Sequence, residues 1–188
     1  MVLAAENEMN ISVHPMSTSE ITLMVDYFLD SSIPFLEGMG VDYKKLPQKQ
    51  AWIDLLNQDI IKPVEQKEFY YLIWDLEGKP VGHSNINKIK FGLEAYMHLH
   101  LWHPASRTKG LGTIFLKHCI QQYFKVFSLQ NLYCEPFSQN PGPNKTLSKL
   151  GFQLEKTYET VPGWINYNQV VNRWKLSRQL WQTQLLGG

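Results

Sequence analysis

The chain has 188 residues and a mass of 21.9 kDa, which is the size of one domain, and a single domain over 1–188 is expected. Hydrophobic residues make up 44% and charged residues 19%, with nine Phe, nine Tyr and six Trp, so a packed core is available and global disorder is excluded. Eighteen basic against seventeen acidic side chains leave a formal charge of +1, which gives no support to nucleic acid or an anionic membrane as a partner.

In chain order, residues 10–14 suit a short strand. A helix is expected over 19–30, with Ser19 as its cap and Ile21, Val25, Phe28 and Leu29 on one face. A second helix fits 47–61, with Trp52, Leu55, Leu56 and Ile60 as its apolar stripe and Pro63 closing it. The period then changes: 69–76 is rich in aromatic and branched residues, a turn follows at 77–80, and a weaker alternation over 81–90 completes a hairpin. Residues 94–103 alternate sharply, with Ala95, Met97, Leu99 and Leu101 on one side and Glu94, Tyr96, His98, His100 and Trp102 on the other. One of those faces reads as core and the other as the wall of a cleft.

After a glycine-bearing turn, Phe115, Leu116, Cys119, Ile120, Tyr123 and Phe127 recur at helical spacing opposite Lys117, Gln121 and Lys125. A short strand at 132–134, a helix over 140–150 stopped by Gly151, and strands at 152–160 and 170–176 complete the pattern. The whole reads as a mixed α/β (α+β) fold. Cys119 and Cys134 fall in core segments, so neither a disulfide scaffold nor a cysteine zinc cage is expected. The first ten residues lack the basic flank and apolar run of a secretory signal, and no stretch matches the roughly 18 apolar residues of a membrane span, so a cytoplasmic location is expected.

The segment Arg107-Thr-Lys109-Gly110-Leu111-Gly112 lies between a strand and the strongest helix. Glycines admit a ligand close to the backbone, and the first-turn N–H groups of a helix lack internal partners, so a pyrophosphate can take them up, with Arg107 and Lys109 adding charge. The same glycines also fit a turn that opens a helix for packing alone. Two nucleotide motifs fail here: Phe115 stands where the dinucleotide fingerprint needs its third glycine, and Asn144 precedes Lys145-Thr146 where a Walker loop needs glycine.

The pattern Arg107-x-x-Gly110-x-Gly112 after a strand resembles the acyl-CoA loop of the GNAT superfamily of N-acetyltransferases. Asn140, followed eleven residues later by Gly151-Phe152, resembles that superfamily's second signature. The likeness spans about 69–176 and is similar in overall pattern to the RimJ/RimL branch, whose members acetylate protein amino termini and small amines. It implies a central, mostly antiparallel twisted sheet flanked by helices, with a splayed parallel strand pair, ending at His103 and Glu135, that forms a slot for acetyl-CoA. It further implies pyrophosphate on the amides of Lys109, Gly110, Leu111, Gly112 and Thr113, and a pantetheine arm beside the strand near Trp102. Asn140 would bond that arm, Lys145 would reach the 3′-phosphate, and an amine acceptor would enter from the other side.

Amine attack on a thioester requires a base and a donor for the developing oxyanion. Glu135, five residues before Asn140, is the first candidate base, His98 and His100 are the second, and Glu94 is a weaker one; a backbone amide near Trp102 is the expected oxyanion donor. Glu135 also reads as a strand-end surface glutamate, and the histidines as simple hydrogen-bonded residues. No third ligand accompanies His98-x-His100, so no metal is expected. Two departures bear on turnover. Leu147 stands where many relatives carry a tyrosine that protonates the leaving thiolate, which leaves Tyr133, Tyr158 or water for that task, or a thiolate that departs unassisted, and Pro143 replaces a small residue. A catalytically weak acyl-CoA-binding or sensor module is therefore the alternative. Trp164 and Tyr167 read as lid residues, as local packing or as a homodimer contact.

Overall fold

The computed structural model describes residues 10–103 and 110–186. Seven strands, β1 (Ile11–Pro15), β2 (Tyr70–Leu76), β3 (Lys79–Lys90), β4 (Glu94–Leu101), β5 (Asn131–Cys134), β6 (Gln153–Thr160) and β7 (Gln169–Ser177), form one sheet in the order β1-β2-β3-β4-β5-β7-β6. Every neighbouring pair is antiparallel except β4–β5, which is parallel. That pair is joined by a helical crossover, α4 (Leu111–Val126), as parallel strands require. The mixed, mostly antiparallel sheet expected from the sequence is thus observed, although the splayed strands end at Leu101 and Cys134 rather than at His103 and Glu135.

Local chemistry accounts for the connections. The β2–β3 hairpin turns through Glu77 and Gly78, with φ of +52° and +72°, the two positive values that a type I′ turn needs to match strand twist. Helix α5 (Pro141–Lys149) begins on proline, where the missing N–H costs nothing, and ends in a Schellman motif. Gly151, at φ +80°, donates to the Ser148 carbonyl at 3.1 Å, and the Phe152 amide donates to that of Leu147 at 3.1 Å. Phe152 and Leu147 are both buried, which is the apolar contact that accompanies this motif. The Gly-Phe pair is therefore a helix stop with a core anchor.

The two sheet faces carry different chemistry. On one face Leu72, Trp74, Ile86, Met97, Leu132 and Leu176 pack against Phe115, Leu116, Cys119, Ile120 and Tyr123 of α4, whose polar positions Lys117, Gln121 and Lys125 are exposed as the spacing predicts. Trp74 stacks on Phe115, with centroids 5.2 Å apart and planes 6° from parallel, and its indole N–H donates to the Cys119 sulfur at 3.1 Å. Over part of the other face lie α1 (Ile21–Leu29), α2 (Ile33–Gly38) and α3 (Lys49–Ile60), which bury Met24, Val25, Phe28, Leu36, Trp52 and Leu56 against Ile73.

Three features depart from the sequence reading. Leu55 is 39% exposed, while Asp59 is buried on α3 beside Trp52 and Leu56, because its carboxylate accepts the Glu68 and Phe69 amides at 3.0 Å each and fastens the start of β2. Helix α2, with six residues, is too short to show a period. Helix α6 (Arg178–Leu186) follows β7 without a break, started by the Leu180 amide donating to the Ser177 hydroxyl at 3.1 Å.

Truncating Trp74 to Ala removes the stacked ring at the centre of the larger core, and a stability loss of about 3–5 kcal/mol is expected in a denaturant titration. A loss below about 1 kcal/mol would mean that this face does not carry the fold.

Candidate functional site

The parallel ladder is short. Glu94–Tyr96 of β4 pair with Asn131–Tyr133 of β5, and beyond Tyr96 and Tyr133 the strands part. A cavity of about 650 Å³ occupies the gap, lined by Leu99 and Leu101 of β4, by Cys134 and Glu135, by residues 110–113 at the start of α4, and by Asn140, Lys145 and Lys149. The Trp102 amide donates to the Val81 carbonyl at 2.9 Å, which sets the alternation along β4. His98, His100 and Trp102 turn their main-chain groups toward β3, and Leu99 and Leu101 turn theirs toward the gap. The amide of Trp102 is thus already used, whereas that of Leu99, on the same strand, faces the gap. Trp102 itself does not line the slot: its indole N–H donates to Nδ1 of His83 at 2.8 Å on the helix-covered face.

The glycines at the start of α4 have distinct jobs. Gly110 caps the helix at φ +77°. Its carbonyl accepts from the Thr113 and Ile114 amides, at 2.9 and 3.2 Å, so Thr113, expected as an amide donor to pyrophosphate, has its N–H taken up within the turn. Leu111 and Gly112 remain as the first-turn donors ahead of any intrahelical acceptor. A Cβ on Gly112 would meet nothing closer than the Leu101 side chain at 3.8 Å, so the space above it is open. Arg107 and Lys109 lie outside the described residues.

Asn140 is the cap residue of α5, yet its side chain makes no capping bond. Asn144 holds this helix start in another way, a role that has no signature in the sequence. Its amide nitrogen donates to the Asn140 carbonyl at 2.7 Å, and its oxygen accepts from the Trp174 indole at 2.8 Å and from Asn172 at 2.9 Å. The start of α5 is thereby tied to β7, and the Asn140 side chain is left to the cavity.

Glu135 sits just past β5 with 4% of its side chain exposed. The Tyr158 hydroxyl donates to its Oε1 at 2.5 Å, and Arg173 Nε lies 3.9 Å from the same oxygen. Burial, reinforced by that bond to Glu135, pushes Tyr158 up to about 12, so the phenol keeps its proton. Arg173 also lies over the rings of Tyr96 and Tyr133, 5.5 and 4.3 Å from their centroids. Glu94, by contrast, pairs with Lys90 at 2.7 Å at the far end of β4, outside the cavity lining. Leu147 is fully buried in the core and faces no ligand space.

The register sets His83 opposite His100 and Asn85 opposite His98, on one face. His100 Nδ1 is 3.4 Å from the Tyr27 hydroxyl, and its ring stacks on His83 with centroids 4.8 Å apart. Burial, aided by Lys88, lowers His98 to about 4. The weak alternation of β3 concealed this polar row in the sequence. Trp164 packs edge-on against Trp52 at 5.7 Å, and the Tyr167 hydroxyl donates to the Glu37 carbonyl at 2.8 Å, so this loop rests on α2 and α3. Among the described residues no cluster of three metal-ligating side chains occurs, and no helix is long and apolar enough to cross a membrane.

The sheet thus opens at its parallel pair, with the start of α4 at the edge of the opening and a buried carboxylate beside it. The model of the acetyltransferase (GNAT) family matches residues 34–152, and the chain belongs to that family. No curated protein matches the chain in sequence. Among solved structures it resembles spermidine N-acetyltransferase from Vibrio cholerae in complex with CoA and spermine (TM-score 0.75, 12% identity, 92% of this chain and 98% of that one). It also resembles ribosomal-protein-S5-alanine acetyltransferase from Vibrio fischeri (TM-score 0.73, 17% identity, 91% and 94%). A third likeness is to RimL, the ribosomal L7/L12 alpha-N-protein acetyltransferase, in complex with coenzyme A (TM-score 0.72, 12% identity, 90% and 95%).

The depressed His98 has a consequence for stability. Between its folded value of about 4 and its ordinary 6.5, the unfolded chain binds more protons than the folded one. The contribution of His98 to stability is therefore complete above 6.5, falls as pH drops toward 4, and is level below that. His98→Gln is expected to lose less stability than the native chain between about pH 7 and pH 5 in denaturant titrations. Equal losses would show that His98 is not held neutral by the fold.

Proposed function

We propose that the protein transfers the acetyl group of acetyl-CoA to a primary amine by direct attack in a ternary complex, as a RimJ/RimL-like member of its family. The observation that carries this reading is the convergence on one opening of three groups: the Leu111 and Gly112 amides, the β4 edge released beyond Tyr96, and the buried carboxylate of Glu135. Acetyl-CoA supplies an activated acyl thioester. The chain's own groups fit it: α4 offers N–H donors and positive helix-end potential to a diphosphate, Lys145 offers charge to a further phosphate, and the main chain at Leu99 with the Asn140 side chain suits an amide-bearing arm. Two of the structures that the chain resembles hold CoA, which supports the same co-substrate.

In the reaction the amine nitrogen forms a bond to the acyl carbon and the carbon–sulfur bond breaks. Glu135 takes the proton that the amine gives up, held in place by the Tyr158 hydroxyl on Oε1. The Leu99 N–H faces the developing oxyanion. Of the two tyrosines that could replace the hydroxyl missing at Leu147, Tyr133 is stacked on Tyr96 while Tyr158 touches the base, so we assign proton return to the leaving sulfur to Tyr158. His98 and His100 then shape the acceptor side, with His98 too weak a base to compete at neutral pH.

Glu135→Gln is expected to lower kcat by about 10²–10⁴-fold with CoA affinity nearly unchanged. An unchanged rate would move the base to His100. Gly112→Asp puts a carboxylate over the open helix start without backbone strain, unlike a change at Gly110. It is expected to weaken the stabilisation of the fold by CoA in thermal unfolding, with the ligand-free melting temperature retained. Full stabilisation in that variant would displace the cofactor from α4. Binding of CoA without release of thiol in any amine assay would favour the acyl-CoA sensor instead.

A further inference from the structure

His83 is wholly buried on β3, and its partner fixes its tautomer. An indole N–H can only donate, so the bond from Trp102 requires a lone pair on His83 Nδ1 and puts the imidazole proton on Nε2. Burial, with His100 and His98 nearby, holds the group well below its ordinary value, so it stays neutral. Nε2–H is therefore a permanent donor, and it has no partner among the described residues. The ring lines the same cavity as Glu135, inside a wall of Tyr27, Phe28 and Tyr71 at centroid distances of 6.1, 6.2 and 5.7 Å.

A buried donor left unpaired is costly, so a site that keeps one is shaped for an acceptor atom brought by the ligand. Resting on the acyl-transfer reading above, we propose that His83 is a specificity-determining residue whose Nε2–H bonds a carbonyl oxygen of the acceptor. The substrate is then an α-amino amide, either a small amide or the first residue of a polypeptide, with an apolar or aromatic side chain. A polyamine offers only donors to His83. It would also set several ammonium groups in a cavity where Glu135 is the one carboxylate among the described lining residues, leaving charge uncompensated.

The test uses the protein saturated with CoA, which carries no acetyl group, so acceptor binding is read without turnover and a failure of transfer stays separate from a failure of recognition. Dissociation constants are measured by calorimetry for phenylalaninamide, a tripeptide amide beginning with Phe, phenethylamine and spermidine. The tighter carbonyl-bearing ligand is expected to bind at least about fivefold more strongly than phenethylamine, and spermidine more weakly still. Whichever of the amide and the tripeptide binds better identifies the source of the carbonyl. His83→Phe is expected to abolish the preference while phenethylamine binding persists. Equal binding of phenylalaninamide, tripeptide and phenethylamine, or a preference retained in His83→Phe, overturns the proposal. Should that variant not fold, nitrogen-15 NMR of the native imidazole decides: a proton on Nε2 is expected, and a proton on Nδ1 overturns it.

Discussion

The structure depends on where one hydrogen-bonded ladder stops. The β4–β5 pairing covers three residues on each strand and ends at Tyr96 and Tyr133. A continued ladder would spend the main-chain groups of Leu99 on β5 and close the sheet. Its early end turns the middle of a core into a cavity without leaving the fold short of packing, because α4 still covers the opposite face with a continuous stripe from Leu111 to Phe127. The stacking of Tyr96 on Tyr133, at 5.3 Å and beneath Arg173, marks the point of divergence. The same strand pair thus supplies both the rigidity and the opening.

Each side of that opening is set by strand periodicity. Odd-numbered positions of β4 enter the core and direct their main-chain groups to the gap, while His98 and His100 lie with His83 and Asn85 on the face beneath α1. In the proposed reaction, cofactor and acceptor would be read by different atoms of one strand: the backbone on one side, side chains on the other. Helix α4 contributes through its unfinished first turn, and α5 through a start held by Asn144.

Much of this was legible in the sequence where the signal is local. The stripe of α4, the alternation of β4 and the Asn140 to Gly151-Phe152 spacing all reflect contacts within a few residues, and the last is now explained by a Schellman stop. What was hidden depends on partners far apart in the chain. Trp102 looked available until Val81 claimed its amide, and Thr113 until Gly110 claimed its own. Asp59 displaced Leu55 from the buried side of α3 because two amides of the next segment needed an acceptor. His83 drew no notice because a histidine between Gly82 and Ser84 carries no period, and its meaning comes from Trp102 nineteen residues on. Tyr158 was expected only as a proton source, and its bond to Glu135 appears only when β6 and β7 fold beside β5.

The most direct measurement of the central claim is amide hydrogen exchange with and without CoA, resolved to single residues. Coenzyme is expected to slow exchange at Leu99, Leu111 and Gly112, the main-chain donors that face the gap, while Trp102 and Thr113 change little because their amides are already bonded in its absence. Protection confined to other segments, or none at the three donors, would contradict a cofactor seated where the β4–β5 ladder ends.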